Sequence, residues 1–346
     1  MTETPLTTEA VPKPKCSPVQ TAGLALLAYV AFNLLLPSVP LPHHKPPLAV
    51  IISLVLSSTL AFMLLQLWLA LAVVAVRPRP VVSGLLAIAC SVLGAGLFVL
   101  SLRYGMHRPP VWIEFGQGLA VTLGCTFLGI LLSPIIREPN VLLPVALVAM
   151  PIDYLGAMTA IGFTKQMVEK HPSIVKGVSV PVPSIGGAAH HAGLAPIAFI
   201  GPGDVLFVAF FFAVVLRLNM NVRGTFWGIY GLLTATMVYV LSPGSINVGA
   251  LVPMGIAVLV ANFAYFKLKR EEVFATIYAT ILVLVLVTGF YFYAHSRFVK
   301  SDSQKSDSQK SDSQKPDSQG AADAQPLAPN RSLPSRNPAP GRPAPN

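Results

Sequence analysis

Two carboxylic acids, Asp153 and Asp204, lie inside stretches of this chain that are otherwise built from hydrocarbon side chains. The rest of its 14 acidic residues fall in tails, in loops or at the ends of apolar runs, as Glu114 does. A carboxylate at bilayer depth is costly unless it is protonated, paired or wetted, so an acid retained there marks a functional site. Two close carboxyls cannot both ionise and instead share a proton. Such a pair can activate a water against a peptide carbonyl, one acid acting as base while the other donates to the carbonyl oxygen. That chemistry requires no metal and no organic cofactor.

The surroundings of the two acids differ. Asp204 closes Gly201-Pro202-Gly203-Asp204 and opens an apolar run that ends at Arg217. As helix that run is about 20 Å long, too short to cross a bilayer alone. The reading therefore extends the span back over Ala195 to Ile200 and places the Gly-Pro-Gly break within the membrane. Pro202 disfavours α geometry at Gly201, and backbone freed by the break implies a cavity lined by protein or water. At the start of the continuing helix, free N–H groups and the macrodipole suit Asp204 to the ionised role. Its plainer alternative is a capping aspartate at the membrane surface. Asp153 sits well inside the apolar run that begins at Val141, two residues after Pro151, which offers a kink that admits water. It suits the protonated role, and its plainer alternative is a buried neutral acid bonded to a neighbouring helix.

The elements that must position these acids are apolar spans. The chain has 346 residues, 53% hydrophobic and 11% charged, with mean hydropathy +0.66. Soluble domains carry about 25% charged residues. An all-α, polytopic transmembrane helical bundle is expected, an integral membrane protein of the cell membrane. Nine spans are read at about 19–39, 46–76, 81–103, 112–136, 141–165, 195–217, 223–242, 246–267 and 273–294. Residues 1–18 form a polar tail with no signal-peptide n-region, 19–296 the transmembrane domain, and 297–346 a tail with three SDSQK repeats. That tail cannot bury enough apolar surface to offset its ordering entropy and is expected to be disordered. The net charge of +10 is scattered, without aromatic interleaving, which points to lipid headgroups and not to nucleic acid. Lys and Arg near span ends lean toward a cytoplasmic N-terminus. Cys16, Cys90 and Cys125 form no CxxC and read as structural thiols.

Between the two acid-bearing spans runs a long loop, Gln166 to Leu194. Its segment Ile174 to Pro183 is β-branched, and its prolines restrict it to an edge strand. Such an edge could hold an unwound substrate by strand addition. His190-His191 lacks a third metal ligand at useful spacing and reads as solvated loop. Phe210-Phe211-Phe212 reads as lipid-facing or packing surface, and Lys267 to Glu272 as a turn at headgroup level.

Ile152-Asp153-Tyr154-Leu155, Gly201-Pro202-Gly203-Asp204 and Gly249-Ala250-Leu251 together resemble the presenilin and signal peptide peptidase family of intramembrane aspartyl proteases. That family carries a Tyr-Asp pair, a Gly-x-Gly-Asp motif and a Pro-Ala-Leu motif, in this order. The resemblance covers about residues 141–267. It implies that Asp153 and Asp204 form a catalytic dyad, and that Gly201, Gly203, Gly249, Ala250 and Leu251 help bind substrate. It also implies transmembrane peptide or protein substrates. The chain departs from the pattern at Ile152, where the family has Tyr, and at Gly249, where it has Pro. Prepilin peptidases share Gly-x-Gly-Asp but commonly carry Lys two residues later, where this chain has Leu206. A second function class uses the same acids as the relay of a proton-coupled transporter or channel. No inverted repeat accompanies them. A third possibility is a catalytically inactive relative that binds membrane segments.

Overall fold

A computed structural model of the chain describes residues 17–38, 48–103, 111–158, 177, 179–183, 199–240, 242, 249–267, 269–274, 276–286, 288–289 and 292. All of them belong to the first of two units, Met1–His295. The helices are α1 (Pro18–Leu35), α2 (Leu48–Ala75), α3 (Pro80–Arg103), α4 (Val111–Leu132) and α5 (Pro139–Met158). After two short strands, β1 (Val180–Pro181) and β2 (Phe199–Ile200), follow α6 (Pro202–Arg217), α7 (Val222–Val240) and α8 (Leu251–Ala261). A last helical stretch lies within residues 270–292.

Among the described residues, four helices are long and apolar enough to cross a membrane: Pro18–Ser38, Ile52–Ala75, Pro80–Arg103 and Trp112–Ile135. Their exposed surface is apolar as well. Leu85, Ile88, Val92 and Val99 on α3 are all more than half exposed, which suits a helix facing lipid rather than water. Among lipid tails there is no hydrophobic drive between helices, so association rests on close van der Waals packing of small residues. The sequence places those residues at the contacts. A Cβ on Gly94 would stand 3.6 Å from the Ala120 Cβ, and one on Gly124 3.3 Å from the Cys90 Cβ, where α3 meets α4. Gly228 approaches the Ala257 Cβ in the same way between α7 and α8. The tightest crossing is α4 on α6. A Cβ on Gly129 would lie 2.8 Å from both the Leu206 carbonyl oxygen and the Phe210 nitrogen, so only glycine lets these two backbones meet.

α6 is the hub. Every residue from Val208 to Val215 is buried, and the core around it draws on α2, α5, α7 and α8. The Phe210-Phe211-Phe212 triplet is therefore packing surface, at 7%, 1% and 0% exposure. A helix apolar on all sides and walled by other helices needs no polar face.

Two expected boundaries are corrected. The span read at 195–217 starts as helix only at Pro202, and Phe199–Ile200 is strand. The cause is local: Pro202 has no N–H to donate and keeps Gly201 extended, at φ −66°, ψ 146°. The span read at 246–267 holds a helix of only 11 residues, with a 3-10 turn at Phe263–Tyr265. Side-chain clamps replace length there. Asn262, fully buried, donates to the Thr225 Oγ1 (2.7 Å) and accepts from the Asn221 N–H (2.9 Å), tying the end of α8 to the start of α7. Asn140 likewise fastens the start of α5 to Lys267, through its backbone, and to the Glu272 carboxylate in the last helical stretch.

Most of the loop expected from Gln166 to Leu194, together with His190-His191, Cys16 and the SDSQK tail, lies outside the described residues. Cys90 and Cys125 are half-buried free thiols.

Candidate active site

α5, α6 and α8 position the two acids, and Asp153 is bonded to the residue after Ala250, which lines the same cavity as Asp204. α5 contains Pro144 and Pro151, each of which deprives the carbonyl four residues earlier of its helical donor. Asp153 follows the second of these interruptions, near the described end of the helix. α8 packs against this part of α5 at Gly255, where a Cβ would lie 3.0 Å from Met150 Cγ. Asp153 Oδ2 accepts the Leu251 backbone N–H at 2.9 Å, and Leu251 is the first residue of α8. That donor is one of the orphan N–H groups every helix start leaves free, and it fixes the carboxyl by a bond to charge-bearing oxygen.

Asp204 is held by the same device on a different helix. It is the third residue of α6, and its Oδ2 accepts the Gly201 N–H at 3.3 Å, reaching back to the cap as in a capping box. The expected division into an ionised Asp204 and a protonated Asp153 does not follow from the hydrogen bonding, because both carboxyls take an N–H at a helix start. The two are close enough for the charge of Asp153 to act on Asp204.

Beside them opens a cavity of about 250 Å³. Asp204 and Ala250 line it, with walls from α2, α6, α7 and α8. Val182, just after β1, and Ile200, in β2, line it as well. β1 and β2 pair antiparallel, Val180 opposite Ile200 and Pro181 opposite Phe199. Of the run Ile174 to Pro183 expected to be extended, Val180–Pro181 is strand whereas Gly177 is helical, and the partner strand of β1 leads without interruption into Gly201-Pro202-Gly203-Asp204.

The expected substrate-binding residues separate. Gly249 is buried against Asp153: a Cβ there would lie 2.8 Å from the Asp153 Cγ and collide with Oδ2. Leu251 is engaged through its backbone, and Ala250 faces the cavity. Gly201 supplies its N–H to Asp204. Gly203 is exposed, and a Cβ on it would meet nothing within 4 Å, so no close approach explains a glycine there. Sequence reasoning passed over α2 and α7, which contribute Thr59, Gln66, Thr236 and Met237 to the cavity wall. The available signal was Gln66, the one carboxamide in the apolar run Ile52–Ala75. Among the described residues, no group of three or more His, Cys, Asp or Glu is placed to hold a metal ion.

Comparisons with protein-family models, with curated proteins and with solved structures find no match for this chain.

Proposed function

We propose that this chain is a multi-pass membrane protein of nine spans, and that it is an intramembrane aspartyl endopeptidase acting through Asp153 and Asp204. What supports this is a pair of carboxyls on apolar helices, each set by a backbone N–H and near enough for one charge to act on the other, with Asp204 lining a largely apolar cavity. One carboxylate takes a proton from water as its oxygen attacks the scissile carbonyl carbon. The other acid donates to the carbonyl oxygen, and the tetrahedral intermediate then collapses with proton transfer to the departing amine. The apolar wall supports a hydrophobic substrate, and the β1–β2 ribbon supports an extended one, since a helical peptide bond is shielded by its own hydrogen bonds. A transmembrane segment locally unwound into a strand meets both conditions.

The test is co-expression of a reporter transmembrane substrate with wild type, Asp153→Asn and Asp204→Asn. Cleaved product from wild type and from neither variant is the expected result. Product from either variant removes the dyad. Absence of product from all three, with proton-coupled flux in liposomes, would move the acids to a transport relay.

A further inference from the structure

The cavity contains a polar group for which the hydrolytic chemistry has no use. Gln66 lines it together with Asp204 and is only 6% exposed. Neither its Nε2 nor its Oε1 has a hydrogen-bond partner among the described residues. It lies in the middle of Ile52–Ala75, at the depth where a span has no water around it. An unsatisfied buried amide destabilises the fold, and an apolar side chain of similar volume would avoid that cost. The carboxamide is thus poised for something that enters the cavity.

Its chemistry defines the ligand. A primary amide carries an acceptor oxygen and an NH₂ donor side by side. In an extended strand the N–H and C=O of a single residue point to the same side, which is how facing residues in an antiparallel pair exchange two bonds. Gln66 can therefore satisfy one residue of an extended peptide with both its groups. A helical peptide offers no such pair, since its backbone groups are consumed internally, and a lipid acyl chain has none. The remaining wall, including Leu67, Ala70, Val205 and Met254, accepts apolar side chains. Ile200, at the end of β2, brings extended backbone to the same wall.

Resting on the peptidase reading, we propose that Gln66 is a substrate-binding residue that exchanges two hydrogen bonds with the backbone of one residue of an extended substrate segment beside Asp204.

The experiment uses the full chain in nanodiscs, carrying Asp204→Asn to prevent turnover. A fluorescent single-span peptide is bound, unmodified or N-methylated at one residue at a time through its middle. N-methylation removes the N–H that Gln66 Oε1 would accept. One position is expected at which methylation weakens binding about 5- to 10-fold, as one buried hydrogen bond is worth. In Gln66→Leu that penalty should vanish, while the thermal midpoint stays level or rises; Gln66→Met substitutes if Leu prevents folding. With Asp204 intact, Gln66→Leu should raise KM with kcat little changed. Penalties that are the same with and without Gln66 at every position, or no peptide binding at all, overturn the proposal. Position-specific coupling without any cleavage by wild type would sink the peptidase reading and leave the Gln66 contact standing. Cleavage with uncoupled penalties would do the reverse.

Discussion

Gly249→Ala is the smallest change that separates catalytic geometry from fold. The glycine's own backbone does not demand it, since it shows no left-handed φ. What demands it is Asp153: a methyl group built at 249 would stand 2.8 Å from the carboxyl carbon and collide with Oδ2. To reach ordinary contact at 3.4 Å the carboxyl carbon must retreat by about 0.6 Å, and Oδ2, which starts nearer, by more. That retreat stretches the 2.9 Å bond from the Leu251 N–H that restrains this carboxyl. Loss of a hydrogen bond to a charged or proton-sharing oxygen costs about 1.5–3 kcal/mol. Misplacement of a reacting group by about 1 Å can cost about 100-fold in rate. Gly249→Ala is therefore expected to lower kcat/KM on a reporter substrate by one to two orders of magnitude, about 10- to 100-fold. Because the carboxyl rather than a helix gives way, the thermal midpoint should fall by only a few degrees. Reporter cleavage in nanodiscs and a thermal unfolding scan are the two assays. A Gly249→Ala protein that cleaves at the wild-type rate would refute the placement of Asp153 against this residue, and with it the geometry assigned to the dyad.

Other substitutions read the scaffold. Gly129→Ala puts a methyl group 2.8 Å from two backbone atoms of α6, neither able to rotate away, so α4 and α6 must part. We expect about 1–3 kcal/mol of destabilisation, measured by unfolding in detergent, and lowered cleavage because α6 carries Asp204. An unchanged midpoint would show that the helices do not cross there. Asn262→Leu removes a buried clamp and strands the Asn221 N–H, at about 1–3 kcal/mol; faster hydrogen exchange at the start of α7 is the local signature. Asp153→Asn and Asp204→Asn are expected to abolish cleavage, and Asp204→Asn should retain peptide binding, which labelled-peptide titration would check.

The two acids were legible because charge inside an apolar run is rare for a physical reason that sequence displays directly. The break before Asp204 was legible as well, since Pro202 acts on its own neighbours. Its depth was not. Residues Ala195 to Ile200 are apolar enough to pass for span, and only pairing with Val180 and Pro181 makes Phe199–Ile200 a strand. Pairing is a property of two distant segments and leaves no periodicity in strands two residues long. Gln66 escaped for a similar reason. A lone amide in a span is usually satisfied by a neighbouring helix, and that Gln66 has no partner among the described residues appears only from the packing around it.

Gly249 shows why a motif departure can be read too simply. In sequence it is a loss, a flexible residue where the resembled pattern has a rigid one. In the fold it stands where any Cβ would displace Asp153. The shortness of α8 belongs to the same arrangement. A helix that begins at Leu251 instead of several residues earlier presents a free N–H at the depth of the carboxyl, and α6, beginning at Pro202, does the same for Asp204. Two full-length helices would have consumed those donors internally and filled the volume now open between α2, α6, α7 and α8. The helix starts that look like defects in a transmembrane reading supply the N–H groups that hold both carboxyls, and one of those carboxyls, Asp204, lines the open volume.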